Sequence, residues 1–123
     1  MNRQELIERL IEEEQKYGLP ALLDYVFGSD IKVRLRFSLR DCETGIDELC
    51  LSVRSQNALK RADIMTLGVL IDALNEGKVK GLRNLGRKSF REIQTRILVY
   101  GYERLNQREK QEFFEDLIEE NRQ

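Results

Sequence analysis

The amino-acid sequence predicts a mainly α-helical protein with one small domain and short additions at both ends. Apolar side chains recur every three to four residues along most of its 123 positions, which is the spacing of one face of a helix. Apolar residues make up 41% of the chain and proline occurs once, so the composition allows a modest core and uninterrupted helices. The same composition excludes a collagen-like, mucin-like or low-complexity protein.

Residues 1–45 are predicted to form an N-terminal appendage that begins with two helices. The first covers residues 2–16, with one apolar stripe and with Gly18 placed to end it. The second covers residues 20–27, because the proline at its start is well suited to the first turn of a helix. Residues 28–30, with the sequence Gly-Ser-Asp, are typical of a turn.

A strand is predicted over Ile31–Arg40, where five apolar residues alternate with five polar ones, four of them cations. A single strand needs a hydrogen-bonding partner, and two remain open. One is a β-type segment over residues 48–53, and the other is the same strand of a second copy, which would make a homodimer. The row of cations is expected to be the solvent-facing side of a sheet, with phosphate contact as the alternative.

Residues 46–102 are predicted to form a compact helical domain. Its elements are a helix from a Ser55 cap to about Asp63, a helix from a Thr66 cap to Leu74, a break over residues 75–77, a short helical turn near residues 78–82, a hairpin over residues 83–86 and a helix that ends at Gly101. Residues 103–123 add an acidic amphipathic helix with Asn106 and Glu109 as a capping box. The apolar face of that helix is expected to pack on the rest of the protein or on a partner.

The side chains that most catalytic and metal sites require are scarce. The sequence has no histidine, which removes the commonest general base and metal ligand. Cys42 and Cys50 lack the close spacing of zinc ligands and are expected to be free thiols. We therefore expect no enzymatic activity, no metal and no cofactor. Without a secretory signal or an apolar span, the protein is expected to be cytoplasmic and away from membranes.

Charge is distributed unevenly along the sequence. Residues 47–102 contain 10 basic and 6 acidic side chains, a net charge of +4. The net charge is −2 over residues 1–46 and −3 over residues 103–123. A basic middle between acidic ends favours contact between the middle and a polyanion such as nucleic acid.

The segment Leu82–Ser89 is typical of a helix-hairpin-helix. Gly86 lets the backbone turn sharply and lets another molecule approach closely. The following helix presents unpaired N–H groups and a positive dipole end, which favour a phosphate. Arg87, Lys88 and Ser89 add two cations and a hydroxyl there. Plain helix–helix packing is the alternative explanation of this pattern.

Two motifs in residues 46–102 resemble the C-terminal domain of the bacterial RNA polymerase alpha subunit. They are Val53-Arg-Ser-Gln-Asn-Ala-Leu-Lys60 and Asn84-Leu-Gly-Arg-Lys-Ser-Phe-Arg-Glu-Ile93. They occur in the order and at the separation found in that family. The resemblance implies a compact helix-hairpin-helix (SAM-like) fold and a role in transcription regulation. It also implies binding to the minor groove of A·T-rich double-stranded DNA.

The resemblance further implies roles for eight residues. Arg54 would enter the narrow minor groove, and Asn57 would contact sugar, phosphate or bound water. The hairpin would hold phosphates through Asn84, Gly86, Lys88 and Ser89. Arg87 would add to the positive electrostatic potential there. Glu92 would belong to the same surface and orient the cations. An Arg54–Glu92 ion pair without any DNA is the structural alternative.

Departures from the family set further expectations. Residues 1–46 are too short for the large N-terminal assembly domain of the alpha subunit, so we expect a stand-alone module. Cys50 replaces an acidic residue that the family can carry on its sigma-facing surface, although Asp47 and Glu48 lie nearby. RNA polymerase, a sigma factor or a transcription regulator are the expected protein partners. The alternative function is a protein–protein interaction adaptor on the same fold that does not bind DNA.

Overall fold

The computed structural model describes residues 2–27 and 39–121, and the regular structure in these ranges is helical. The elements are α1 (Arg3–Tyr17), α2 (Leu19–Phe27), α3 (Leu39–Cys42), a 3-10 helix (Ile46–Leu49), α4 (Val53–Arg61), α5 (Leu67–Asn75), α6 (Arg87–Glu103) and α7 (Gln107–Glu120). The prediction of a mainly α-helical protein is confirmed. No helix in the described ranges is long and apolar enough to cross a membrane.

Neither of the two predicted β-segments is found as a strand in the described residues. Residues 31–38 of the predicted strand lie outside the described residues, and its last two residues, 39 and 40, are helical. The β-type segment predicted over residues 48–53 is wrong. Ile46 and Leu49 are both buried, and their spacing of three brings them to the same side of one 3-10 turn. Cys50 then ends that turn in the left-handed conformation, with φ 55°.

The protein divides into two compact units. The central unit is residues 35–101, and the peripheral unit combines Met1–Arg34 with Tyr102–Gln123. The boundary therefore falls near the end of α6. The central unit contains both motifs singled out in the sequence.

The core of the central unit joins the 3-10 helix, α4, α5 and α6. Its fully buried residues include Leu59, Leu67, Leu70, Val79, Ile93 and Ile97. Two backbone hydrogen bonds connect residues 44–46, where the 3-10 helix begins, to residues 65–67, where α5 begins. The N–H of Leu67 donates to the Thr44 carbonyl at 2.8 Å, and the N–H of Ile46 donates to the Met65 carbonyl at 3.0 Å.

The caps of α4 and α5 explain where these helices begin. The predicted Thr66 cap is confirmed, because its hydroxyl accepts a hydrogen bond from the Val69 N–H at 3.4 Å. The predicted Ser55 cap is wrong. Ser52 caps α4 by accepting a hydrogen bond from the Ser55 N–H at 3.3 Å, and the Ser55 side chain is completely buried in the first turn. Both serines can cap a helix, and burial of Ser55 decides between them.

The connection from α5 to α6 consists of turns. The short turn of helix predicted near residues 78–82 corresponds to one hydrogen-bonded turn, in which the Leu82 N–H donates to the Val79 carbonyl at 3.2 Å. Gly77, with φ 75°, lies in these turns, and the fully buried Val79 anchors them. The helix α6 continues past Gly101 to Glu103, so the predicted end at Gly101 is wrong. A glycine inside a helix costs only about 1 kcal/mol relative to alanine, which the surrounding helical hydrogen bonds outweigh.

In the peripheral unit, α1 packs against α2 and α7. The predicted capping box at the start of α7 is confirmed, with Asn106 and Glu109 exchanging side-chain and backbone hydrogen bonds. Phe114 is fully buried and meets the Tyr102 and Phe113 rings edge-on, at centroid distances of 5.7 and 5.2 Å. The apolar face of α7 therefore packs within the protein.

Candidate nucleic-acid interface

The first turn of α4 is held by a residue of α6. The Ser52 hydroxyl donates a hydrogen bond to Glu92 at 2.9 Å, and the Ser52 N–H donates to the same carboxylate oxygen at 3.3 Å. Hydrogen bonding to the Ser55 hydroxyl lowers the pKa of Glu92; partial burial opposes this shift, and the bonds to Ser52 and the charge of Arg96 add to it. Glu92 thus stays a carboxylate that fixes the start of α4.

One face of α4 carries uncompensated polar and charged side chains. Arg54, Asn57 and Arg61 follow a spacing of three and four residues, so they share one side of the helix, and all three are exposed. None of them forms a hydrogen bond or ion pair within the part of the protein that the structure describes. The Arg54–Glu92 ion pair considered above is therefore not formed, since Glu92 binds Ser52 instead.

A neighbouring face of α4 is occupied by internal contacts. The Lys60 ammonium lies 3.7 Å from the Asp47 carboxylate, and the Gln56 amide donates a hydrogen bond to the same oxygen. Asp47 belongs to the 3-10 helix. Adjacent cations on α4 therefore differ: Lys60 has an acidic partner, and Arg61 has none among the described residues.

The hairpin turns at a residue other than the predicted one. Asn84 is left-handed, with φ 67°, and the next residue, Leu85, donates its N–H to the Leu82 carbonyl at 3.3 Å. Asparagine tolerates this conformation better than most residues. Gly86 does not have a positive φ, so its role is not to make the turn. A Cβ built on Gly86 would meet no described atom within 4 Å, so the glycine leaves open space over the backbone.

The helix α6 begins directly after Gly86. The Gly86 carbonyl accepts the N–H of Phe90 at 3.0 Å, so the N–H groups of residues 87–89 precede the first intrahelical hydrogen bond. Arg87 and Lys88 are exposed, and Ser89 is half-buried. Neither cation forms an ion pair with a described residue. The start of α6 therefore combines a positive dipole end with two free charges.

A solvent-open groove brings α4 and the hairpin together. Its lining consists of Arg54, Arg61, Asn84, Leu85 and Gly86. Three of the eight predicted site residues are thus in one lining. The other five, Asn57, Arg87, Lys88, Ser89 and Glu92, are on α4 and α6 outside it.

Two residues of this region, Arg61 and Ser52, were not predicted from the sequence. Arg61 follows Arg54 by seven residues, which is two helical turns, and this spacing could have identified it. Ser52 immediately precedes the first motif, and the competing Ser55 hid its capping role. No group of three or more acidic or cysteine side chains in the described ranges is placed to hold a metal ion. Cys42 and Cys50 are both free thiols.

The fold and the groove define a helix-hairpin-helix protein with a cationic surface on α4 and at the start of α6. Residues 37–98, half of the sequence, match the family of the C-terminal domain of the bacterial RNA polymerase alpha subunit. The protein belongs to this family, as the motifs indicated.

Similar curated proteins are RNA polymerase alpha subunits. The DNA-directed RNA polymerase subunit alpha of Onion yellows phytoplasma is 44% identical over 94 residues, which are 76% of this protein and 26% of the relative. The subunit of Malacoplasma penetrans is 56% identical over 52 residues, 42% of this protein and 15% of the relative. The sequence therefore spans about a quarter or less of these relatives. No solved structure matches it.

Proposed function

We propose that this protein binds A·T-rich double-stranded DNA through the minor groove and the flanking phosphates, and thereby modulates transcription. The observation that carries the proposal is the position of Arg54. Its side chain is exposed, has no ion pair among the described residues, and lines one groove together with Asn84 and Gly86. A free arginine next to an open backbone is suited to a narrow, negatively charged groove.

Arg54 supplies the preference for A·T-rich sequence. The minor groove of A·T-rich DNA is narrow and has an enhanced negative potential, which attracts an inserted guanidinium. The Ser52–Glu92 hydrogen bonds hold the helical turn from which Arg54 projects. The positioning role expected for Glu92 would thus act on Ser52, the N-cap of α4, through its hydroxyl and its N–H, and not through a direct contact with Arg54.

The hairpin and the start of α6 supply the phosphate contacts. Gly86 leaves room that no described side chain or backbone atom uses, which supports close approach by another molecule. The N–H groups and charges at residues 87–89 favour an anion there. Asn57, on the Arg54 face of α4, reaches sugar, phosphate or bound water.

The family supports the link to transcription. The curated relatives are RNA polymerase alpha subunits, and this protein matches a small part of them. The DNA-bound module would act on the polymerase directly, or through a sigma factor or another regulator.

Fluorescence anisotropy with A·T-rich and G·C-rich duplexes tests the proposal on the whole protein. We expect tighter binding to the A·T-rich duplex, and an affinity that falls as salt rises from about 50 to about 200 mM. Arg54→Ala should abolish the A·T preference and weaken binding to that duplex by about tenfold or more. Lys60→Ala is the matched control, because it removes a cation of the same helix that Asp47 already neutralises.

Two outcomes would overturn the proposal. A folded wild-type protein that binds neither duplex at low salt would favour the protein–protein adaptor. Equal effects of Arg54→Ala and Lys60→Ala would mean that binding follows overall charge and not the groove.

A further inference from the structure

Arg61 is a cation of the candidate interface that the family motifs do not include. It is the last residue of α4, follows the end of the first motif, and is exposed. It lines the same groove as Arg54 and the hairpin. No described acidic side chain pairs with it. An exposed guanidinium without an ion pair beside this groove is available to contact an external anion.

The helix geometry places Arg54 and Arg61 against different parts of the DNA. Seven residues of α-helix advance by about 10 Å and return to nearly the same side. We take α4 to lie across the minor groove, which in B-DNA is only about 6 Å wide, so two arginines at this separation along α4 do not both fall over its floor. With Arg54 in the groove, Arg61 lies over the groove wall, where the sugar–phosphate backbone runs.

We infer that Arg61 is a phosphate-contacting residue that adds sequence-independent affinity to the Arg54 site. The inference rests on the proposed function, because it takes DNA as the ligand and α4 as the helix facing it. Phosphate contacts hold a protein in place without reading sequence, whereas groove insertion discriminates. Arg61 therefore strengthens binding to A·T-rich and G·C-rich duplexes equally.

Lys60 provides an internal comparison for this assignment. It precedes Arg61, carries the same formal charge, and lies 3.7 Å from the Asp47 carboxylate. Its position on α4 is about 100° away from that of Arg61, towards the side that contacts the 3-10 helix. If charge alone determined affinity, the two residues would be interchangeable. The groove geometry makes Arg61 the phosphate ligand and leaves Lys60 outside the interface.

The experiment measures the salt dependence of binding for the whole protein and for Arg61→Ala, Arg61→Lys and Lys60→Ala. Each phosphate contact contributes about 0.9 to the slope of log affinity against log salt. Arg61→Ala should reduce the magnitude of this negative slope by about one. Between about 50 and about 200 mM salt, the affinity of the variant should therefore fall by a factor that is roughly threefold to fourfold smaller than for the wild type. The ratio of A·T-rich to G·C-rich affinity should stay unchanged.

The matched variants decide the outcome. Arg61→Lys should restore the wild-type slope, and Lys60→Ala should keep it. A slope for Arg61→Ala equal to that of Lys60→Ala would overturn the inference while leaving the proposed function intact. Loss of the A·T preference in Arg61→Ala would also overturn it, because Arg61 would then read the groove. A wild-type protein that binds no DNA would remove the proposed function and this inference together.

Discussion

Glu92 in α6 accepts hydrogen bonds from both the hydroxyl and the backbone N–H of Ser52, the cap of α4. Residues forty positions apart in the sequence are thereby joined at the point where the candidate DNA-binding helix begins. The Ser52 hydroxyl also accepts the N–H of Ser55, so one serine connects the helix start to the neighbouring helix. This relationship makes the stability of the fold and the position of Arg54 depend on the same few atoms.

Ser52→Ala should destabilise the protein by about 1 kcal/mol, because loss of an N-cap leaves a backbone N–H of the first turn without its acceptor. The measurement is the free energy of unfolding from urea denaturation followed by circular dichroism. Ser52→Thr retains the hydroxyl and serves as the control. An alanine variant as stable as the wild type would show that the cap contributes nothing to folding.

The contribution of Glu92 to stability should depend on pH. Hydrogen bonds from Ser55 and Ser52 lower its pKa below the ordinary value of 4.5, so the folded state binds its proton less tightly than the unfolded state. The stabilisation is therefore present above that ordinary value and is lost as the pH falls through the lower folded-state pKa.

Glu92→Gln isolates this effect. The wild type should be more stable than the variant near neutral pH, and the difference should shrink at about pH 3. Unfolding midpoints at both pH values are the measurement. A stability difference independent of pH would contradict the assignment of the charged carboxylate to this site.

The longer helices were predictable from the sequence because periodicity and capping patterns are local. Thr66, Asn106 and Glu109 were found in this way, and each performs the predicted capping contact. The Ser52 cap was missed because Ser55 offers the same chemistry, and only the burial of Ser55 against the core distinguishes them. Burial depends on contacts between distant segments, which spacing alone does not encode.

The hairpin also shows a feature that local sequence patterns could not decide. A glycine was predicted to make the turn, and the left-handed residue is Asn84 instead. Both residue types tolerate that conformation, so composition could not decide between them. The positive charge of the hairpin region was still predictable, because the sequence itself shows the cations and the start of the helix that follows them. The pairing of Lys60 with Asp47, which leaves the adjacent Arg61 without an ion pair among the described residues, required the three-dimensional arrangement.

Substitutions of Gly68 and of Gly86 should affect stability and DNA binding separately. A Cβ at Gly68 would lie 2.9 Å from the Cys42 Cβ and 3.0 Å from the Cys42 carbonyl oxygen, where α3 and α5 meet. Gly68→Ala should therefore cost about 1–3 kcal/mol of unfolding free energy through overpacking. Thermal and urea denaturation measure this loss.

Gly86→Asn is the counterpart. Asparagine is a favourable N-cap and the space around Gly86 is open, so stability should change by less than about 0.5 kcal/mol. Binding to both duplexes should weaken, because the new side chain occupies the space proposed for DNA. A Gly86→Asn protein that binds as tightly as the wild type would contradict close approach at the hairpin.

In the peripheral unit, burial rather than ion pairing should dominate stability. Phe114 is fully buried between the Tyr102 and Phe113 rings, so Phe114→Ala should cost about 3–5 kcal/mol if this unit unfolds with the rest of the protein. The Arg3–Glu119 pair, at 3.0 Å, has both side chains more than half exposed, and Arg3→Ala should cost less than about 1 kcal/mol. Denaturation of both variants, followed by circular dichroism and by tyrosine fluorescence, tests whether Phe114→Ala loses more stability than Arg3→Ala. A larger loss in Arg3→Ala than in Phe114→Ala would mean that the contacts of Phe114 with the Tyr102 and Phe113 rings do not hold α7 in place.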